Sequence, residues 1–256
     1  MRRAVVACAL LGLWASPATA QMRSRFEPGD LEIKDTGTLE IDAQLSATQG
    51  ESAGRVIVPD FEIALGLAPN VQLEVDGAYA VEGRPQGKFS LDHSAPDNLW
   101  VSSKLRLFDL RDRAARTAWA GGLQLGPKLP LAPSARGAGY EAIALVGRTI
   151  RRTHLVLNAG ALLDPGPSLR RGRPAGIEGG LDLDLDLDAR DELSLVGELG
   201  GVAFISRDPH QLHATLGLAW QASKNLQLSL VGLVGLLGGG DRYGALLGVA
   251  PSFDLF

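Results

Sequence analysis

Carboxylates recur at every second residue in LDLDLDLD, residues 181–188, and leucines fill the places between them. Asp182, Asp184 and Asp186 at this spacing could attract cations or orient a dipolar solute. Other groups invite comparable readings. Glu74 and Asp76 (in QLEVD) and Glu198 (in GELG) are acids in alternating segments, and Lys104 and Arg106 (in SKLRL) are bases in another. Arg170, Arg171 and Arg173, in DPGPSLRRGRPAG, could bind the phosphates of lipopolysaccharide through paired N–H donors. Catalytic chemistry has thinner support. His154 or His213 could serve Ser194 or Ser229 as a base, yet no local pattern marks an activated nucleophile. The four histidines show no metal spacing, and His210 and His213 would face opposite ways on a strand. Gly238-Gly239-Gly240 lacks the Lys and Ser/Thr of a phosphate loop and reads as a loop tip. No cofactor and no metal site are expected.

The alternation dictates the element that carries these groups. Successive side chains on a strand point to opposite faces, whereas a helix would scatter the leucines around its circumference. One face of 181–188 is therefore aliphatic and the other carries like charges roughly 7 Å apart. Each neighbouring pair costs about 2 kcal/mol at an effective dielectric of roughly 20. Such a face must be wet or meet cations. The pattern recurs: Leu39, Ile41, Ala43 and Leu45 alternate with Glu40, Asp42, Gln44 and Ser46, and Val71, Leu73 and Val75 with Gln72, Glu74 and Asp76. Leu105 and Leu107 alternate with Lys104 and Arg106 in the same way.

A soluble sandwich also alternates, with its apolar face inside. Connection lengths separate the two architectures. Strands are expected near 37–47, 55–67, 71–82, 98–108, 116–129, 139–150, 153–163, 175–187, 192–203, 210–221, 226–236 and 243–255. Short links such as Arg151-Arg152 alternate with longer ones such as 83–97 and 164–174. Long strands, an even strand number and this rhythm predict an all-β fold, a single antiparallel up-and-down transmembrane β-barrel of about 12 strands. Trp119 and Trp220 would join an aromatic girdle, thin because aromatics make up only 5% of the chain.

The ends agree with export to an outer membrane. Arg2 and Arg3 precede an apolar run, and Ala18-Thr19-Ala20 offers a cleavage site, so residues 1–20 read as a signal peptide. That run is too short to span a bilayer as a helix. Cys8, the only cysteine, lies within it, so the expected mature chain has no disulfide. Residues 21–36 form a lead segment, either an unstructured lead or a short plug, and 37–256 the barrel. The ending GVAPSFDLF resembles the terminal strand signal of bacterial outer-membrane barrels, a substrate of the barrel assembly machinery, though Phe256 falls off the apolar face. A net charge of -4 argues against a nucleic-acid partner.

With the apolar face outward, Glu40, Asp42, Glu62, Glu74, Asp76, Glu82, Glu178, Asp182, Asp184, Asp186 and Glu198 should point inward, with Lys104, Arg106, Lys128 and Arg148 as the inward bases. Glu74 and Asp76 should pair with Lys104 and Arg106 across neighbouring strands. Asp182, Asp184 and Asp186 have only His154, Asn158, Ser194 and Glu198 next door, so they should look across the lumen or into water. Glu74, Asp76, Lys104, Arg106, Asp182, Asp184, Asp186 and Glu198 are the expected pore-lining set.

The stretches GPKLPLAPSARGAG (126–139), HLVLNAGALLD (154–164) and NLQLSLVGLVGLLGGGDRYGALLGVAPSF (225–253) resemble uncharacterised outer-membrane transporters related to the meta-pathway phenol-degradation proteins. GTLEIDAQLSA (37–47) is similar to that family's first strand. The resemblance implies uptake of small, often aromatic or apolar, molecules and carries over no site residue. The leading expectation is a passive or facilitated small-molecule pore in a Gram-negative outer membrane, in contact with lipid and lipopolysaccharide. A barrel enzyme or plugged structural barrel comes second, and a soluble secreted protein binding apolar ligands third.

Overall fold

The computed structural model describes residues 31, 33–50, 54–83, 89–112, 114–132, 135–165, 175–188, 190, 192–205 and 208–255. The strands are β1 (Thr38–Gln49), β2 (Gly54–Ala68), β3 (Val71–Gly83), β4 (Phe89–Pro96), β5 (Leu99–Asp112), β6 (Thr117–Leu129), β7 (Gly139–Ile150), β8 (Thr153–Leu163), β9 (Ala175–Asp186), β10 (Leu193–Phe204), β11 (Gln211–Ser223), β12 (Leu226–Gly235) and β13 (Tyr243–Asp254). All pairings are antiparallel, between chain neighbours except that β3 also pairs with β5, and β1 closes on β13 with Leu39 opposite Phe253 and Leu45 opposite Leu247. The result is a closed, up-and-down barrel of twelve staves. Closure of β1 on β13 pairs the first and last strands of the barrel, as a bilayer requires.

One expected loop is partly strand. Residues 83–97 read as a connection, yet 89–96 form β4, which pairs with the far end of β3 through Tyr79–Pro96 and Ala80–Ala95. β5 takes the near end of β3, from Val71–Leu105 to Asp76–Trp100. Together β4 and β5 make one stave broken at Asp97 and Asn98, so thirteen segments fill twelve places.

The registers line up one lipid-type row after another. Val146 lies opposite Leu157, Leu157 opposite Leu181, and Leu181 opposite Leu199. All four point away from the barrel axis and are exposed. Leu181 is 46% accessible and the next residue, Asp182, 1%, which settles the direction of the alternation. Exposed apolar surface on this scale is not tolerated in water and calls for lipid. Aromatic residues bound the belt. Trp119, Trp220 and Phe253 are exposed at the end with short turns, and Tyr79, Tyr140 and Tyr243, all the tyrosines of the chain, at the end with long loops. Two opposed rings therefore exist despite the sparse composition.

Arg148 corrects the list of inward bases. It points outward, its guanidinium 4.9 Å over the Trp119 ring. In the middle of β7 both faces are apolar, with Ile143 and Leu145 buried inside and Ala142, Ala144 and Val146 outside, so alternation there does not orient the strand. The charge sits at the short-turn rim, where an arginine can reach the interface.

Candidate functional site

Polar side chains of β3, β5 and β6 meet inside the barrel around Glu74. Neighbouring strands set Glu74 opposite Ser102 and Gln72 opposite Lys104, and Lys104 opposite Gln124 on the next strand. Gln72 Nε2 donates to Glu74 Oε1 at 2.7 Å, and Ser102 Oγ donates to Oε2 at 3.2 Å. Gln124 Nε2 donates to the same Oε2 and lies 3.1 Å from Ser102 Oγ. Lys104 Nζ completes the set, 2.9 Å from Glu74 Oε1. A buried carboxylate without such donors would cost several kcal/mol, about 3–5 when one partner of a buried pair is removed. The expected Glu74–Lys104 pair is therefore present, inside a larger network that includes two glutamines and a serine. Asp76 is buried on the same face. Arg106 differs from its expected carboxylate pairing: its Nη2 donates to the backbone carbonyl of Leu31 at 3.0 Å.

Leu31 and residues 33–36, the described part of the lead segment, lie at the short-turn end of the barrel. Gly37, in the left-handed region at φ 87°, turns the chain from this segment into β1. Lys34 N donates to Gln72 Oε1 at 2.7 Å, and Lys34 Nζ lies 2.8 Å from Glu40. A side chain at Gly66 would collide with the carbonyls of Lys34 and Asp35, so the segment can lie directly on β2. Leu31 packs against Trp100, Ile143, Leu145 and Val156.

The acidic ladder occupies β9, between β8 and β10. Asn158 Nδ2 donates to Asp182 Oδ2 at 2.7 Å. Ser194 Oγ donates to Asp186 Oδ1 at 3.2 Å, and His154 Nε2 lies 3.5 Å from Asp186 Oδ2. Glu198 sits opposite Asp182 in the register and 3.6 Å from His213 Nε2. Asp182 and Asp186 thus find partners on adjacent strands, which corrects the expectation that they look only across the lumen or into water. Neighbouring side chains on a pleated face lie close enough to do this. The order of groups also bears on catalysis. The serine hydroxyl donates to the carboxylate, with the imidazole on that carboxylate's other side. Activating a serine requires the imidazole in the middle.

Towards the long loops, Lys128 Nζ bridges Glu141 at 2.6 Å and Asp164 at 2.8 Å, an ion triad across β6, β7 and the end of β8. The opposite wall is greasy: Val196, Ala219, Val231, Leu233 and Leu246 cluster on the inner faces of β10 to β13. The bases Lys104 and Lys128 thus sit among acids, while an apolar cluster covers part of the wall from β10 to β13. Among the described residues no group of three or more His, Cys, Asp or Glu is placed to hold a metal ion. Arg170, Arg171 and Arg173 lie outside the described residues.

No protein-family model and no curated protein matches the chain. The barrel is similar in structure to the KdgM porin, with a TM-score of 0.52 at 10% identity, covering 84% of this chain and 99% of that one. It is similar to the NanC porin, with a TM-score of 0.59 at 8% identity, covering 84% of this chain and 100% of that one. It is also similar to the β domain of the Bordetella autotransporter Brka, at a TM-score of 0.50 and 12% identity, covering 86% and 100% of the two chains. At these identities the likeness is one of fold, and the fold is the outer-membrane porin-like β-barrel.

Proposed function

We propose that the chain is an outer-membrane pore that passes small solutes, by passive or facilitated diffusion, through its charged interior. The observation that carries this reading is the pairing of an apolar, aromatic-ringed exterior with an interior rich in carboxylates. A barrel of this size leaves more room inside than an eight-stranded one, whose lumen side chains fill. Asp182, Asp184 and Asp186 on β9, with Glu198 beside them, would give the route a preference for cations over anions. The apolar wall formed by Val196, Val231, Leu233 and Leu246 would suit solutes with an aromatic or aliphatic body. The resemblance to phenol-degradation transporters supports the same solute class. Arg170, Arg171 and Arg173 are proposed to hold lipopolysaccharide phosphates.

Reconstituted protein should conduct in planar bilayers and let small aromatic solutes into liposomes. Changing Asp182, Asp184 and Asp186 together to Asn should move the reversal potential in a salt gradient towards zero. An unaltered potential would remove these residues from the route.

A filled structural barrel is the second reading, favoured by the near-complete burial of Leu145, Gln72, Glu74, Ser102 and Asp182. It predicts no conductance from any variant.

A further inference from the structure

Leu31 and Lys34 of the lead segment are held against the inner wall by named contacts that together make a seat. Three kinds of group build the seat. Arg106 and Gln72 supply polar contacts to the backbone: the guanidinium donates to Leu31 O at 3.0 Å, and Gln72 Oε1 accepts from Lys34 N at 2.7 Å. Two glycines, Gly122 and Gly147, leave a side-chain-sized recess filled by the Leu31 methyl groups. Trp100, Ile143, Leu145 and Val156 form the apolar floor of that recess.

Two of these features are costly without an occupant. Ile143, Leu145 and Val156 are apolar groups on the inner face of a barrel whose other inner positions on β3, β5 and β9 are largely polar. Gln72 is nearly inaccessible, with its amide nitrogen committed to Glu74 and its oxygen to Lys34 N. A buried amide oxygen left without a donor is unfavourable. Water could satisfy the oxygen, but it could not cover the leucine recess.

We propose that Leu31, Ile33 and Lys34 form a resident plug, a peptide ligand supplied in cis that narrows the lumen at its short-turn end and must leave its seat for solute to pass. The proposal rests on the pore reading for its effect on flow, though not for the seat itself. Charge and shape set the ligand class: an extended peptide with a leucine-sized aliphatic group, held at its backbone by Arg106 and Gln72.

Gly147 offers a selective test. A methyl group there would come within 2.5 Å of Leu31 Cδ1, while its other neighbours stay at 3.4 Å. Gly147→Ala therefore takes the space of the Leu31 methyl group and spares the wall. With Ile33→Cys as a reporter (Cys8, the only other cysteine, lies in the expected leader), a membrane-impermeant maleimide should label slowly, because Ile33 is buried. Adding Gly147→Ala should raise that rate at least tenfold. In bilayers, Gly147→Ala and a deletion of residues 22–35 should each raise mean conductance severalfold. A synthetic peptide covering 22–36 should lower it again in the deletion. Equal labelling rates would overturn the seat. Equal conductance from a conducting wild type and both variants would overturn the plug. If every form is silent while the labelling contrast holds, the pore reading fails and the seat stands. Heat-modifiable migration on a denaturing gel verifies that each variant is a folded barrel.

Discussion

At the scale of single residues, the interior holds its charges by sharing them. Glu74 is tolerated because Gln72, Ser102, Gln124 and Lys104 all face it from β3, β5 and β6. Lys104→Met should cost about 3 kcal/mol of stability, since it strands a buried carboxylate. Glu74→Gln with Lys104→Met should cost less than the sum of the two single changes, a coupling that equilibrium unfolding in lipid vesicles can measure. Asp188, in the turn between β9 and β10, does a different task. Its Oδ1 accepts from the backbone N–H groups of Glu192 at 2.8 Å and Leu193 at 3.2 Å. Desolvation acts to raise its pKa, but the backbone donors of Leu193, Glu192 and Arg190 together outweigh it and hold the carboxyl below the usual value. A depressed carboxyl stabilises the fold above its unfolded pKa, near about 3.9, and that contribution is lost as pH falls through the lower folded value. The Tm of Asp188→Ala should therefore lie below wild type at pH 7, and the gap should close at about pH 2.

At the scale of elements, direction is set by alternation and by registers that stack leucine on leucine. Leu181→Arg would put a charge into the lipid row shared with Leu157 and Leu199, and should cost about 2–4 kcal/mol if the site lies near the bilayer centre. Asp182→Asn, one residue away and facing inward, should leave insertion intact. Folding efficiency into vesicles separates the two. Most strand limits were legible in the sequence for the same reason. The tight link at Arg151-Arg152 sets the end of β7 and the start of β8 at their observed limits. β4 was not legible, because it is short, its partner is only the far end of β3, and Pro96 with Asp97 and Asn98 reads as part of a connection. Arg148 was not placed by the sequence because the middle of β7 is apolar on both faces, its inner pair Ile143 and Leu145 packing with Leu31.

At the scale of the whole molecule, the barrel sorts its interior into sectors. Carboxylates gather on β9, a polar network spans β3 to β6, and aliphatic groups line β10 to β13. The carboxylates were readable from LDLDLDLD alone, since period two has one structural meaning. A short plug was one of two readings of residues 21–36, and nothing in the sequence chose between them, because the deciding contacts are long-range, from Leu31 to Arg106 and from Lys34 to Gln72. The partnering of Asp182 and Asp186 by Asn158 and Ser194 was not readable, since it depends on the register across β8, β9 and β10. A spin label placed in turn at residues 181–187, in protein reconstituted into vesicles, tests the orientation on which the whole account stands. Collision rates with oxygen, which dissolves in lipid, should be high at 181, 183, 185 and 187 and low at 182, 184 and 186. A profile without that two-residue period, or with its phase reversed, would contradict it.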